Sequence, residues 1–353
     1  MMQRRSILVG AVRAAALLSL PACRSVARRE DVLQGLVENV VVPNTLEVAV
    51  QSRNLQGAVA SLAAAPNTAG LLASRTQWKQ ALLAWKRAYA FRNGPIVETN
   101  GLLRAIYWPP RPAAIDGLLS GSQPVDEASV ETWGVDRRGL FALEYLLFSP
   151  GTSNETHAAS FSGSNGERKA RLIRGLADNV VRYGNAAAAR MGDGKAFSVA
   201  FAQGGQGSVN KLVGQMSDTV ENVVAARLTR VSGFAKSGLL KPAEVEGSSS
   251  QMSQQVALAY LEATERLYVG SEKGLGDLVK ASSPTFDALL RASFTQAIDS
   301  VRRLAAPLEE VAKRDLASLD AAAASVKRLE LAIRTELASA LGVTLTFSSG
   351  DGD

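Results

Sequence analysis

The sequence holds one cysteine, Cys23, and one histidine, His157, in 353 residues. A single cysteine allows no intrachain disulfide and no cysteine-based zinc knuckle. A single histidine excludes metal sites built on two or three imidazoles. Any Ser–His–Asp or Cys–His machinery would have to use His157. Aromatic residues are scarce at 6%, and charged residues make up 20%. Lys and Arg number 39 against 33 Asp and Glu, a formal net charge of +6. That is too mild for a nucleic-acid footprint. Half of it comes from Arg4, Arg5 and Arg13 near the N-terminus, so nucleic acid is not expected as a partner.

The N-terminal stretch reads as an address. Arg4 and Arg5 precede a short apolar run, Ile7 to Leu20, broken once by Arg13. It falls short of the ~20 residues a membrane-spanning helix needs. Residues 1–22 are therefore expected to be a signal peptide. Leu20-Pro21-Ala22-Cys23 resembles the lipobox of bacterial lipoproteins. The resemblance implies lipidation of Cys23 and an envelope protein facing the periplasm, held at the outer membrane. Several acyl chains anchor stably where one does not. Arg4-Arg5-Ser6-Ile7-Leu8 also resembles a twin-arginine signal, so the export route stays open between that and the general one.

Strand signals are sparse, and helical periodicity is plentiful. Trp78, Leu82, Trp85 and Tyr89 follow a +4, +3, +4 spacing, as do Val209, Val213, Met216, Val220 and Val223. Phe294, Ala297, Val301, Leu304, Leu308 and Val311 read as one long seam. A last run starts at Leu316, Leu319, Ala323 and Val326 and continues to Leu329, Ile333, Leu337 and Leu341. These predict an all-α chain of packed helical bundles. Pro43 and Pro307 fall inside helical patterns, where kinks are expected. Glycine-rich punctuation near residue 200 suggests two helical-bundle domains, 23–200 and 201–353. Residues 94–148 carry five prolines and six glycines, so short helices and turns are expected there.

Chemistry is densest at Arg137-Arg138-Gly139-Leu140-Phe141-Ala142-Leu143-Glu144-Tyr145-Leu146-Leu147-Phe148. Glu144 is the one charge between Gly139 and Phe148, and Phe141 shares its helical face. Burial would raise its pKa unless a cation or hydrogen bonds compensate. Arg104, Arg111, Arg137 and Arg138 are the candidate partners. An ion pair that merely ties helices together fits the same residues.

The stretch resembles the imelysin family, whose marker is Gly-x-His-x-x-Glu. Here the marker stands as Gly139-x-Phe141-x-x-Glu144. Trp85 through Gly94-Pro95-Ile96, Trp108-Pro109 with Arg111 and Ile115-Asp116, and the turn carrying Glu246, Ser250 and Ser253 resemble further family segments. In that turn Gly247 stands where the family has its first serine. The ending Leu341 to Asp353 completes the resemblance. It implies an all-helical envelope protein of two bundles, linked to iron uptake, in a family first described as metallopeptidases.

The departure at Phe141 matters, because phenylalanine cannot coordinate a metal. Donor chemistry thus disfavours zinc, and the oxygens of Glu144, Asp116, Glu246 and Asp136 are what remains. Such donors suit hard cations, with iron the cation the family suggests. The expected site gathers Glu144, Asp116, Glu246, Ser250 and Ser253, lined by Gly139, Phe141, Arg138, Arg111 and Trp108. His157 is expected in a solvated loop, either alone or beside Glu155. Asp351-Gly352-Asp353 is read as a solvated or docked tail. Three functions follow: a non-catalytic lipoprotein binding a ligand or an iron-uptake partner in a cleft between bundles, a divergent metallopeptidase, or a structural lipoprotein with a vestigial site.

Overall fold

A computed structural model describes residues 28–304 and 307–344. Cys23, the signal segment and the Asp351-Gly352-Asp353 tail lie outside the described residues. Among the described residues every regular element is helical.

The chain runs without a break through α1 (Arg29–Leu36), a π-helical turn (Val37–Val41) and α2 (Val42–Ala64). Pro43 lacks an N–H and its ring crowds the preceding turn. The wider π turn ahead of it accommodates the proline within a continuous helix. Asn67 then caps α3 (Thr68–Tyr89), its side chain accepting from Gly70 N at 2.8 Å. Trp78, Leu82 and Trp85 of α3 are buried, as their spacing predicts.

The proline- and glycine-rich segment forms short helices: α4 (Pro95–Glu98), α5 (Gly101–Ile106), α6 (Pro112–Ser120), α7 (Glu127–Thr132) and α8 (Gly139–Leu147). After α9 (Asn154–Ala159), the long α10 (Gly163–Met191) packs along α2 and covers α7 and α8.

A second set follows: α11 (Lys195–Gln203), α12 (Gly205–Asn222), a π-helical stretch (Val223–Thr229) and α13 (Arg230–Lys236). It continues with α14 (Ser253–Val269), α15 (Leu275–Ser282), α16 (Pro284–Arg302), α17 (Leu308–Arg314) and α18 (Leu316–Leu331). A π stretch (Ala332–Leu337) and α19 (Ala338–Ala340) complete it. The seam read as one kinked helix from Phe294 to Val311 is instead two helices. Pro307 sits at the N-cap of α17, where its missing N–H costs nothing. The seam's apolar residues are buried all the same.

The two sets meet along α3 and α14, and α1 packs against α11 and α15. Their buried apolar residues join in one cluster reaching from Val32 to Ala338.

Candidate functional site

The marker begins at a strained backbone position. Gly139 has φ +74°, and a Cβ there would stand 2.5 Å from the Ala105 carbonyl oxygen. Only glycine lets α8 start against the backbone of α5. Trp78 Nε1 donates to Leu140 O at 2.7 Å and ties α3 to that first turn. Phe141 is completely buried. Its ring lies edge-on to Trp78 and 5.0 Å from Lys86 Nζ. One turn later, Glu144 Oε1 accepts from Ser250 N at 3.0 Å and from Ser250 Oγ at 2.6 Å. Burial pushes its carboxyl up to about 7, only partly opposed by the two serine bonds. Ser250 Oγ also lies 3.1 Å from Gly247 O. A single hydroxyl proton serves one acceptor at a time. It goes to Glu144 when that group is ionised. When Glu144 is protonated it can donate to Ser250, freeing the hydroxyl proton for Gly247 O.

Gly247, at φ +76°, opens the turn that presents Ser250. Glycine at this place suits the left-handed backbone. At the end of the turn, Ser253 Oγ donates to Glu309 at 2.7 Å and accepts from Leu308 N at 2.8 Å. Ser253 thus fastens the start of α17. Glu309 is buried, and burial raises its pKa.

Glu246 begins the same turn in a different setting. Lys86 Nζ lies 2.5 Å from its Oε1, and Arg227 Nη2 pairs with its Oε2. The two cations hold its carboxyl below the usual range despite its burial. Glu246 in turn raises the pKa of both Lys86 and Arg227. Tyr260 stands beside them, with the Arg227 guanidinium 4.4 Å from its ring centre. Arg227 is carried by the π-helical stretch Val223–Thr229, a local widening often found at functional sites.

This cluster forms the floor of a cleft of about 650 Å³ between α3–α5 and the Val223–Thr229 stretch with α14. Trp108 lines it, along with Tyr89, Tyr107 and Tyr260.

Glu144, Ser250, Glu246 and Ser253 are therefore gathered on one turn and the α8 face it covers. Asp116 stands apart and exposed, bonded by Tyr145 Oη at 2.9 and 3.0 Å. The expected arginine partners of Glu144 turn elsewhere. Arg138, buried, donates to Glu131 O at 2.9 Å. Arg104 pairs with Glu131 at 2.7 Å. Arg111, its side chain 70% exposed, pairs with Asp136 at 3.4 Å, as does Arg137 at 3.7 Å. A serine, with no charge to desolvate, takes the place they were expected to fill.

His157 is likewise not solvated. It is buried in α9 and stacked on Phe161. Its Nε2 donates to Leu146 O at 3.0 Å, and its Nδ1 accepts from Arg75 Nη2 at 2.9 Å. A carbonyl can only accept and a guanidinium can only donate, which fixes the neutral tautomer. Burial pushes its pKa down to about 4.

The sequence model of the imelysin family, also described as peptidase M75, matches residues 42–340. The chain belongs to the imelysin family. A curated relative, iron-regulated protein A of Synechococcus elongatus, is 31% identical over 163 residues. That match spans 44% of this imelysin and 43% of the relative, less than half of either. Two solved structures share the fold at 16% identity. One is described as an iron-regulated protein A precursor from Parabacteroides distasonis, with a TM-score of 0.74 over 87% of this chain and 93% of that one. The other is an imelysin-like protein from Psychrobacter arcticum, with a TM-score of 0.72 over 90% and 97%.

The residues at the marker of this imelysin do not fit a zinc peptidase centre. Phe141 offers no lone pair, and both nitrogens of His157 are engaged at the other end of α8. Both oxygens of Glu246 are held by cations. Among the described residues no three His, Cys, Asp or Glu side chains are placed to share a metal ion.

Proposed function

We propose that this imelysin is a lipid-anchored envelope protein that serves iron acquisition by binding a ligand or partner in the cleft, without peptide hydrolysis. One observation carries the reading. The place of the marker histidine is filled by Phe141, packed on Lys86 beneath an open, aromatic-walled cleft. A zinc peptidase needs nitrogen or sulfur ligands and an open coordination position, and this marker supplies neither. The iron connection draws on the name of the relative that this chain partly matches. Anchoring draws on the lipobox at Cys23.

The test combines transcript response to iron limitation with elemental analysis of the full protein purified without a histidine tag. The account expects induction under iron limitation and no stoichiometric zinc. An unresponsive transcript would remove the iron role. Bound zinc, with metal-dependent peptide cleavage lost in Glu144→Gln, would instead establish the peptidase. Metabolic labelling with palmitate, abolished in Cys23→Ser, checks the anchor. Unlabelled wild-type protein would remove it.

A further inference from the structure

We propose that the cleft binds an organic anion, namely a carboxylate or similar oxyanion carried on a flat apolar body. This rests on the reading of the cleft as a ligand site, and names the class of ligand.

The first support is a charge imbalance. Lys86, buried, and Arg227, its side chain only 10% exposed, share a single carboxylate, Glu246. Glu144, the neighbouring acid, accepts its hydrogen bonds from Ser250. Glu144 pairs with neither cation, so among Lys86, Arg227 and Glu246 one positive charge is left over at the floor of the cleft. An unbalanced charge held away from water is costly, so such a place favours an arriving anion.

Donors are also in surplus. Arg227 gives its Nη1 to Asn222 and its Nη2 to Glu246 and Tyr260, yet its buried Nε has no acceptor among the described residues. Arg92 adds a third cation, along the wall, 4.5 Å from the ring centre of Tyr89. Its partner Asp218 is exposed and 3.3 Å away, so water screens that pair. The remaining charged pair nearby, Arg230 with Glu244, is internally balanced at 2.9 Å.

The second support is the wall. Tyr89 and Tyr260 meet edge to face at 5.2 Å, and Trp108 and Tyr107 stand in the same cleft. Val97 and Leu103, which also line it, are 44% and 54% exposed. Large apolar side chains left in water beside a basic floor suit a ligand with an apolar body and an acidic head. The volume of about 650 Å³ is that of a small-molecule site.

Titration calorimetry on the folded full chain tests this with 2-naphthoate and its neutral counterpart 2-naphthamide. The proposal expects naphthoate to bind about tenfold tighter, with the preference shrinking as salt rises. Replacing Lys86 or Arg227 risks the fold, so the exposed Leu103 carries the variants. Leu103→Glu should weaken naphthoate by about threefold or more relative to Leu103→Gln, through like-charge repulsion near the cleft. Circular dichroism should be unchanged in both. Equal affinity for the two probes, no binding of naphthoate, or equal behaviour of the two Leu103 variants would overturn the proposal. Such a failure alongside an intact iron response would remove the ligand class alone. Anion selectivity without an iron response would remove the broader role and leave the site.

Discussion

Glu144 and Glu246 are each 5% exposed, yet their surroundings set them apart. Glu144 is met by a serine hydroxyl and a backbone N–H, and burial lifts it to about 7. Glu246 is met by an ammonium and a guanidinium and stays ionised. Equal burial, then, does not fix protonation; the partner does. The marker residue is the one that can be neutral, while the firmly charged centre lies on the neighbouring turn, facing the cleft.

The largest expected effect comes from breaking the charged side. Glu246→Gln leaves the buried Lys86 and the nearly buried Arg227 without their shared counter-charge, and should cost about 3–5 kcal/mol in chemical denaturation. A loss below about 1 kcal/mol would mean water reaches both cations.

The neutral side shows itself through pH. The folded pKa of Glu144, about 7, lies above its ordinary 4.5, so the native state holds the proton more tightly. Its contribution is complete at pH values below the ordinary pKa and is lost as pH rises through the folded one. Wild-type stability relative to Glu144→Gln should therefore fall by about 3 kcal/mol across that window. Parallel pH–stability curves for the two proteins would refute the assignment. His157 slopes the other way, because its depressed pKa makes acid destabilising as pH falls from its ordinary 6.5 towards about 4. Comparison with the variant cancels that term.

The smallest effect sharpens the comparison. Ser250→Ala removes one of the two hydrogen bonds to Glu144 and should cost about 1 kcal/mol at pH 8. It should also raise the Glu144 carboxyl further and extend the pH-dependent loss to higher pH, since the carboxylate keeps only the backbone N–H. An unchanged pH profile would mean the hydroxyl does not hold the carboxylate.

Much of the fold was legible because helical seams repeat at a fixed spacing. Trp78, Leu82 and Trp85 show this, as do Val209 to Val223. The proline-rich stretch could only break into short helices. Glu144 stood out because it is the lone charge in an apolar run. Its partner did not, since nothing local brings Ser250 across 106 positions to a carboxylate. Arginines were the chemically obvious choice, but Glu131 and Asp136 compete for them. Lys86 and Arg227 were missed, although a signal exists. Each lies four residues after a buried seam residue, Leu82 and Val223, which puts a charge on an inward face. His157 was misread because its neighbours Ser153, Asn154, Glu155 and Thr156 are polar, while Arg75, its anchor, comes from a distant helix.

The contrast between the two acids is most directly tested by an NMR pH titration of carboxyl-13C glutamate in the folded protein. The account predicts a buried glutamate that titrates near 7 and vanishes in Glu144→Gln, and a signal lost in Glu246→Gln that titrates below the ordinary glutamate range. A Glu144 that titrates with the exposed glutamates, or a Glu246 that takes up a proton near neutrality, would contradict it.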